Sequence, residues 1–158
     1  MRGWIVAEPM DSGADVPGGI GERTPAAAGT RTRDWRFPST AQSVRAMRHA
    51  LRPFLASSGL PEQDVDDLVL AACEAAANGI EHARHPAEPF FDVQAEIAGR
   101  SVRIVVRDHG RWTAPQALPG SRGRGLHMMT MLAAVSLTSG PLGTSVTLRN
   151  LVDGHTDR

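Results

Sequence analysis

Residues 68–82, LVLAACEAAANGIEH, constrain the fold of this chain more than any other stretch. Apolar residues recur there at helical spacing and the alanines favour helix without adding bulk, so the pattern predicts a helix buried on a core. Glu74, Asn78 and His82 follow at successive i+4 steps, which places a carboxylate, an amide and an imidazole in one row. A carboxylate in apolar surroundings can act as a base, and an amide oxygen can ligate a hard cation. For this segment alone, a solvated polar stripe is the simpler interpretation.

The composition predicts a single cytoplasmic domain. The chain has 158 residues, of which 41% are hydrophobic, and this is enough for one core but not for two. A formal net charge of +0 gives no reason to expect direct binding to nucleic acid. The single cysteine, Cys73, lies on the apolar side of its helix, so we expect a buried, reduced thiol. The sequence has neither a run of about 18 apolar residues nor a secretory signal, so we expect a soluble protein without a membrane partner.

The two ends of the chain differ from its middle. Residues 1–33 are rich in Gly, Pro, Ala and Thr and have no sustained apolar periodicity, so we expect a flexible N-terminal tail. Periodic patterns continue from there almost to the end of the chain. We therefore expect a folded domain over residues 34–152 and a short C-terminal tail over residues 153–158.

Within that domain the predicted elements follow one another in a simple order. A short strand at residues 35–37 precedes a first helix, which the capping-box pattern of Ser39 and Gln42 is expected to open and Pro53 to kink or end near its last turn. The helix of residues 68–82, a hairpin, a long polar loop, a third helix and a closing hairpin come next. This order predicts an α/β two-layer sandwich, with a mixed, mostly antiparallel sheet and helices on one face.

Four short motifs lie on these predicted elements. They are Glu74-x-x-x-Asn78 on a helix, Asp108-x-Gly110 after a strand, Gly123-x-Gly125 at a helix start, and Gly143-Thr144 before the last strand. Together they resemble the N, G1 and G2 boxes and the closing Gly-Thr of the GHKL (Bergerat-fold) ATPases, over about residues 35–151. The segment EAAANGIEHA and the short loop between the G1 and G2 boxes are most similar to those of the anti-sigma-factor serine/threonine kinases of bacterial partner-switching systems.

The resemblance implies an ATP site whose adenine side includes Asp108, Gly110 and Thr144. An aspartate at the end of a strand can accept a hydrogen bond from the exocyclic amine of adenine, and Gly110 lets the backbone approach the ring. By the same resemblance, Thr144 supports both the aspartate and the adenine.

On the phosphate side, the resemblance assigns contacts to four residues at the start of the third helix: Gly123, Arg124, Gly125 and Leu126. The N–H groups at a helix N-terminus favour phosphate oxygens. Asn78 is expected to ligate a Mg²⁺ ion that bridges the phosphates, and Glu74 to be the catalytic base for the attacking hydroxyl. Residues 111–122 are expected to form a lid that moves with the nucleotide.

Three other kinds of site fit the sequence less well. A dinucleotide-binding motif needs a third glycine where Met128 stands, and a phosphate-loop NTPase needs a Gly-Lys-Ser/Thr that the chain lacks. A zinc site formed by Glu74, His82 and His85 is rejected, because both histidines lie at a fraying helix end beside Pro86 without a cysteine pair.

The sequence thus predicts an ATP- and magnesium-dependent serine/threonine protein kinase. By resemblance, it is an anti-sigma factor that binds a sigma factor and phosphorylates an anti-anti-sigma partner of the STAS type, and a homodimer is compatible with this family. One alternative is a regulatory binding module, ATP-binding or nucleotide-independent, without kinase activity. Another is a detached histidine-kinase catalytic domain. The presence of Glu74 beside the complete nucleotide constellation favours the serine/threonine kinase.

Overall fold

The helix predicted from residues 68–82 is the longest described element and lies at the centre of the helical layer. The computed structural model of the protein describes residues 29–82, 88–110 and 124–151. In chain order the described elements are β1 (Arg31–Pro38), α1 (Ala41–Ala56), α2 (Glu62–His82), β2 (Phe90–Ala98), β3 (Ser101–Arg107), α3 (Arg124–Leu132), β4 (Ala134–Gly140) and β5 (Gly143–Arg149). Helix α2 packs against both α1 and α3, so each of the other helices is positioned by it.

The five strands form one sheet in the order β1-β2-β3-β5-β4. Every pairing between described strands is antiparallel. Strand β5 lies between β3 and β4, and Arg107 at the end of β3 is opposite Ser145 near the start of β5. The predicted two-layer α/β sandwich with a mostly antiparallel sheet and helices on one face is confirmed. The end of β3 and the start of β5 therefore meet at one edge of the sandwich.

The core lies between the helices and one face of the sheet. Along β3, every second residue is buried, namely Val102, Ile104 and Val106, as expected for a strand with one covered face. Helix α2 meets that face with four buried small residues: Ala71, Ala72, Ala75 and Ala76. Because these side chains are small, the helix axis can lie close to the sheet. The predicted packing of this helix is confirmed, and it brings the polar row of α2 near the strand ends.

The start of α1 differs from the predicted capping box. The helix begins at Ala41 after Thr40, which has an extended backbone (φ −127, ψ 153) and makes no side-chain capping bond. The Thr40 hydroxyl is instead hydrogen-bonded to the Ser43 hydroxyl at 2.9 Å. The capping box of Ser39 and Gln42 is therefore wrong, because the N-cap lies one residue further on and its hydroxyl has a side-chain partner.

The other end of α1 and the first strand refine the predicted boundaries. Helix α1 ends at Ala56, within one turn of Pro53, as expected for a proline near a helix end. Strand β1 begins at Arg31, so residues 31–33, placed in the tail by the sequence pattern, pair with β2. Within the rest of the predicted tail, residues 29 and 30 are exposed and belong to no element, while residues 1–28 lie outside the described residues, as do the C-terminal residues 153–158.

In the described part of the chain, no helix combines the length and the apolar character that a membrane crossing requires.

The β4–β5 hairpin closes with a glycine in a conformation that side chains rarely adopt. Gly143 has φ +134, and a Cβ added there would overlap the main-chain carbonyl oxygen of Asp108. Gly99, in the turn between β2 and β3, also has a positive φ of +60, but a Cβ there would meet no atom within 4 Å. A side chain at position 143 would thus meet both an unfavourable backbone conformation and main-chain atoms, whereas a side chain at position 99 would meet only an unfavourable backbone conformation.

This pair of glycines gives a matched test of the close approach. We expect Gly99→Ala to lower the free energy of unfolding by about 1 kcal/mol, the usual cost of a left-handed non-glycine residue. Gly143→Ala is expected to cost about 2 kcal/mol more, because the methyl group must displace main-chain atoms. Urea unfolding of both variants measures the difference, and equal losses would contradict the assigned contact.

Candidate functional site

The polar row of α2 is only partly exposed to solvent. Glu74 and Asn78 are half-buried, on a helix whose neighbouring positions Ala75 and Ala76 are in the core. His82, at the last residue of α2, is exposed and lies 4.0 Å from the carboxylate of Glu81. The structure therefore groups the carboxylate with the amide, while the imidazole is at the solvent-exposed end of the helix.

Cys73 lies beside Glu74 but is not fully buried. Its side chain is half-buried, so the expected buried thiol is only partly enclosed. Burial raises the pKa of the Cys73 thiol, and the positive charge of Arg48 on α1 opposes that rise. The thiol is consequently kept in its protonated form at neutral pH, which makes it a poor nucleophile.

The start of α3 lies directly against the polar row. A Cβ added to Gly125 would overlap Oε1 of Glu74 and lie 3.1 Å from Nδ2 of Asn78. These two side chains therefore touch the first turn of α3, where unsatisfied backbone N–H groups are found in any helix. The contact brings a carboxylate, an amide and a helix N-terminus together, as the sequence motifs predict.

Asp108 follows β3 and has its carboxylate held by two main-chain amides. Oδ1 accepts hydrogen bonds from the N–H of Gly110 at 3.0 Å and from the N–H of Thr144 at 3.3 Å. Burial raises the pKa of the Asp108 carboxyl, while the bonds from Gly110 and Thr144 and the nearby His109 oppose the rise. The oxygen that remains is turned toward α2, which makes Asp108 an acceptor with a fixed direction.

Gly79, next to Asn78 on α2, sets the distance between that helix and Asp108. A Cβ added to Gly79 would lie 3.3 Å from both Cβ and Oδ2 of Asp108, tighter than most contacts of real side chains. The sequence motifs do not single out this residue, and its only signal is the absence of a side chain directly after Asn78. Gly79 therefore belongs to the wall of the site.

Thr144 supports Asp108 through its main chain. Besides the bond to Oδ1, the carbonyl oxygen of Thr144 accepts a hydrogen bond from the N–H of Asp108 at 3.0 Å. The residue is 6% exposed, so this pair of main-chain contacts is protected from water. The predicted support of the aspartate by Thr144 thus operates through backbone atoms. Its predicted contact with adenine stays a prediction.

Several predicted site residues fall beyond what the structure describes. Gly123 and the predicted lid, residues 111–122, lie outside the described residues, as does His85. Arg124 is the first residue of α3, and only its backbone is described. Leu126 follows on the same helix and is 46% exposed.

The donor set fits magnesium better than a metal held by protein ligands alone. Among the described residues, no three His, Cys, Asp or Glu side chains are grouped closely enough to hold a metal ion. Mg²⁺ usually keeps several waters and takes one or two protein oxygens together with substrate phosphates. Asn78, whose amide group lies next to the start of α3, carries one such oxygen, so the residues fit this mode of binding.

Comparison with known protein families identifies the family to which the chain belongs. The family model described as the histidine kinase-like ATPase domain matches residues 37–150 of the 158. The chain belongs to the histidine kinase-like ATPase domain family. The predicted GHKL resemblance is thereby confirmed, and membership implies that the site binds ATP.

The likeness to one solved structure agrees with this assignment. A chain containing the RsbU and RsbW domains of Rv1364c from Mycobacterium tuberculosis is 28% identical, with a TM-score of 0.60 over 74% of this chain and 32% of that chain. This ATPase domain thus spans about a third of that chain. The histidine kinase domain of the Erythrobacter litoralis EL346 blue-light activated histidine kinase is 19% identical, with a TM-score of 0.46 over 72% of this chain and 61% of that chain.

Gly125 gives a test of the contact between α3 and the polar row of α2. Gly125→Ala is expected to weaken ATP binding by about tenfold or more, because overpacking of about 1–3 kcal/mol must displace Glu74 or the start of α3. Gly140→Ala is the control, since a Cβ there would meet no atom within 4 Å. Calorimetric titration with ATP measures both affinities, and an unchanged affinity in Gly125→Ala would show that the helix start tolerates the methyl group.

The raised pKa of Asp108 predicts a pH-dependent cost in folding stability. A raised pKa means that the folded protein binds this proton more tightly than the unfolded chain does. The stabilisation is fully present below the ordinary aspartate pKa of about 3.9 and is lost as pH rises through the raised pKa. Asp108→Asn, whose amide oxygen can still accept from Gly110 and Thr144, should therefore raise the thermal midpoint at pH 7.

The same comparison at acid pH provides the control for Asp108. The advantage of Asp108→Asn over the wild-type protein should shrink as the pH is lowered toward 4, because the wild-type carboxyl is then protonated as well. Thermal unfolding followed by circular dichroism from pH 4 to 8 measures this difference. A constant difference across that range would contradict the assigned burial of the carboxylate.

Proposed function

We propose that the protein is an ATP- and magnesium-dependent serine/threonine protein kinase that acts as an anti-sigma factor. The observation that carries the proposal is the contact of Gly125 with Glu74 and Asn78. It supports the proposal because a carboxylate and an amide that would ligate Mg²⁺ lie together beside the helix start that would face the phosphates. An ATP-binding module without phosphoryl transfer has no need of a carboxylate at this position.

The chain's own side chains supply distinct parts of the chemistry. Asp108, fixed by the amides of Gly110 and Thr144, would accept from the adenine amine and set the position of ATP. Asn78 would hold Mg²⁺, which neutralises charge on the phosphates when it is bound. The first turn of α3 would donate main-chain N–H groups to phosphate oxygens.

Glu74 would serve as the base at the reacting end of ATP. The serine or threonine oxygen of the substrate attacks the γ-phosphorus while the bond from that phosphorus to the β–γ bridging oxygen breaks, leaving ADP. The hydroxyl proton passes to the Glu74 carboxylate, so its position one helical turn from Asn78 matters for the reaction. A carboxylate in contact with α3 can be oriented by the same helix that orients the phosphates.

The partners are inferred from similarity. The wording EAAANGIEHA resembles anti-sigma-factor serine/threonine kinases, and a chain with an RsbW domain is 28% identical to this one. Both support a sigma factor as the bound partner and a STAS-type anti-anti-sigma protein as the phosphorylated one. We place this exchange in the cytoplasm, where ATP and sigma factors are found, and a homodimer is compatible with it.

The decisive experiment is phosphoryl transfer with Glu74 altered. Glu74→Gln is expected to lower transfer from radiolabelled ATP to a purified STAS-domain protein of the same genome by about 10²- to 10⁴-fold, the usual contribution of a general base. Its ATP affinity should change by less than about threefold, because the base acts mainly in the transition state. Asn78→Ala should instead remove the magnesium dependence of ATP binding.

Glu81→Gln is the matched control for this experiment. Glu81 lies on the same helix with a side chain that is 74% exposed, so its loss should leave transfer unchanged. Equal transfer by Glu74→Gln and the wild-type protein would sink the assigned base. Binding of ATP without transfer to any STAS-domain protein would favour the regulatory module, and an acid-labile phosphorylated product would favour a histidine kinase.

A further inference from the structure

The sheet face opposite the helices carries a carboxylate that is almost fully buried. Phe91 and Val93 point into the core, so Asp92 between them points to the other face of β2. That face is not covered by any described helix, yet Asp92 is only 7% exposed. A charge removed from water to this extent needs strong partners. Arg36 and His109 supply them, and Phe90 packs against both; these three residues together with Asp92 are named the back-face cluster.

Arg36 of β1 fixes the carboxylate of Asp92 and is itself packed against Phe90 of β2. Arg36 donates from Nε to Oδ1 of Asp92 at 2.7 Å and from Nη2 to Oδ2 at 3.4 Å. The guanidinium also lies over the ring of Phe90, with Cζ 3.7 Å from the ring centroid. The charge of Asp92 is therefore paired within the sheet, independently of His109.

The second partner of Asp92, His109, comes from the nucleotide-binding motif. Nε2 of His109 lies 2.8 Å from Oδ2 of Asp92, and the imidazole nitrogen must be the donor because an ionised carboxylate only accepts. The His109 ring also packs edge-on against Phe90, at 5.0 Å between centroids. Its side chain is 15% exposed, so the loop residue between Asp108 and Gly110 is held in a defined place behind the sheet.

The neighbouring side chains of Asp108 and His109 are thus held in opposite directions. Asp108 turns toward Gly79 of α2, while His109 reaches across to Asp92 on the far face of the sheet. The N–H of Gly110, next in the chain, donates to the Asp108 carboxylate. A shift of His109 would move the residues on either side of it, because the three are joined by planar peptide units.

We propose that His109 is a positioning residue, which through its bond to Asp92 holds the Asp108–Gly110 segment in the shape that receives the adenine base. Held this way, the segment is ordered before the ligand arrives, so binding has less conformational entropy to remove. The anchoring itself concerns the ligand-free protein, and only its effect on ATP rests on the proposed function.

The ligand-free protein provides the first test. In His109→Ala the amide of Gly110 should exchange with deuterium about fivefold faster, because the hydrogen bond to Asp92 no longer restrains the segment. His109→Asn, whose shorter amide does not reach Asp92, should behave in the same way and serves if the alanine variant does not fold. His109→Gln, which places an amide near the position of Nε2, should restore most of the protection.

A second polar pair on the same sheet face gives the control. Gln94 donates from Nε2 to Oδ1 of Asp34 at 2.8 Å, which also links β2 to β1 but does not involve the loop after β3. Gln94→Ala should leave the exchange of Gly110 unchanged. If His109→Ala leaves the exchange unchanged as well, or if Gln94→Ala accelerates it equally, the anchoring role is overturned.

ATP binding provides the second test. His109→Ala should raise the Kd for ATP by about tenfold. The rate of phosphoryl transfer at saturating ATP should stay within about twofold, since positioning of the adenine ring acts on binding. His109→Gln should recover most of the affinity, which a general loss of packing would not. Faster exchange with unchanged affinity would overturn the role toward adenine. A wild-type protein that binds no ATP would refute the proposed function. The exchange data would still show whether His109 holds the Asp108–Gly110 segment in place.

Discussion

The site depends on how closely α2 approaches the two segments that flank it. At Gly79 the helix lies against the Asp108 carboxylate, and its Glu74 and Asn78 side chains lie against Gly125 at the start of α3. A methyl group on either glycine would push the facing side chains away, because these side chains already lie as close to the glycine backbone as packing allows. Residues far apart in sequence thereby come within reach of one small ligand. The alanine-rich face of α2 makes this possible by letting the same helix lie close to the sheet.

The topology supplies the second half of the arrangement. Since β5 pairs antiparallel with β3, the residue that follows β3 meets the residue that begins β5, and Asp108 can accept from the Thr144 amide while donating its own N–H to the Thr144 carbonyl. These bonds compensate only in part for burial, since the pKa of Asp108 remains raised. The fold thus retains an ionisable group that costs it stability at neutral pH. Such a cost is common where a protein binds a ligand, because the acceptor must be partly dry to be selective.

The site residues that the sequence predicts are those with a local signal. Glu74 and Asn78 share a helix face at i+4, and Asp108 with Gly110 follows a strand of alternating apolar residues, so spacing alone groups each pair. The bond between His109 and Asp92 has no such signal. Polar residues at every second position of β2 are typical of a solvated sheet face, and the same pattern fits a buried, paired aspartate equally well. The N-cap of α1 was misplaced for a related reason: Ser39 and Thr40 both suit that position, and their partners in space decide between them.

The two sides of the site rest on very different amounts of buried structure. The side proposed to bind adenine is formed by central strands, by the buried Thr144 and by the back-face cluster, so it is held from both faces of the sheet. The phosphate side begins at α3, a nine-residue helix in which Met129 is buried while Leu126 is 46% and Met131 is 68% exposed. A short helix with so little buried apolar surface opens at a low free-energy cost, whereas central strands open only with the whole domain. Under the proposed function, binding energy gained at the adenine side would therefore be used to order the phosphate side around Glu74, where the proposed reaction requires a fixed geometry.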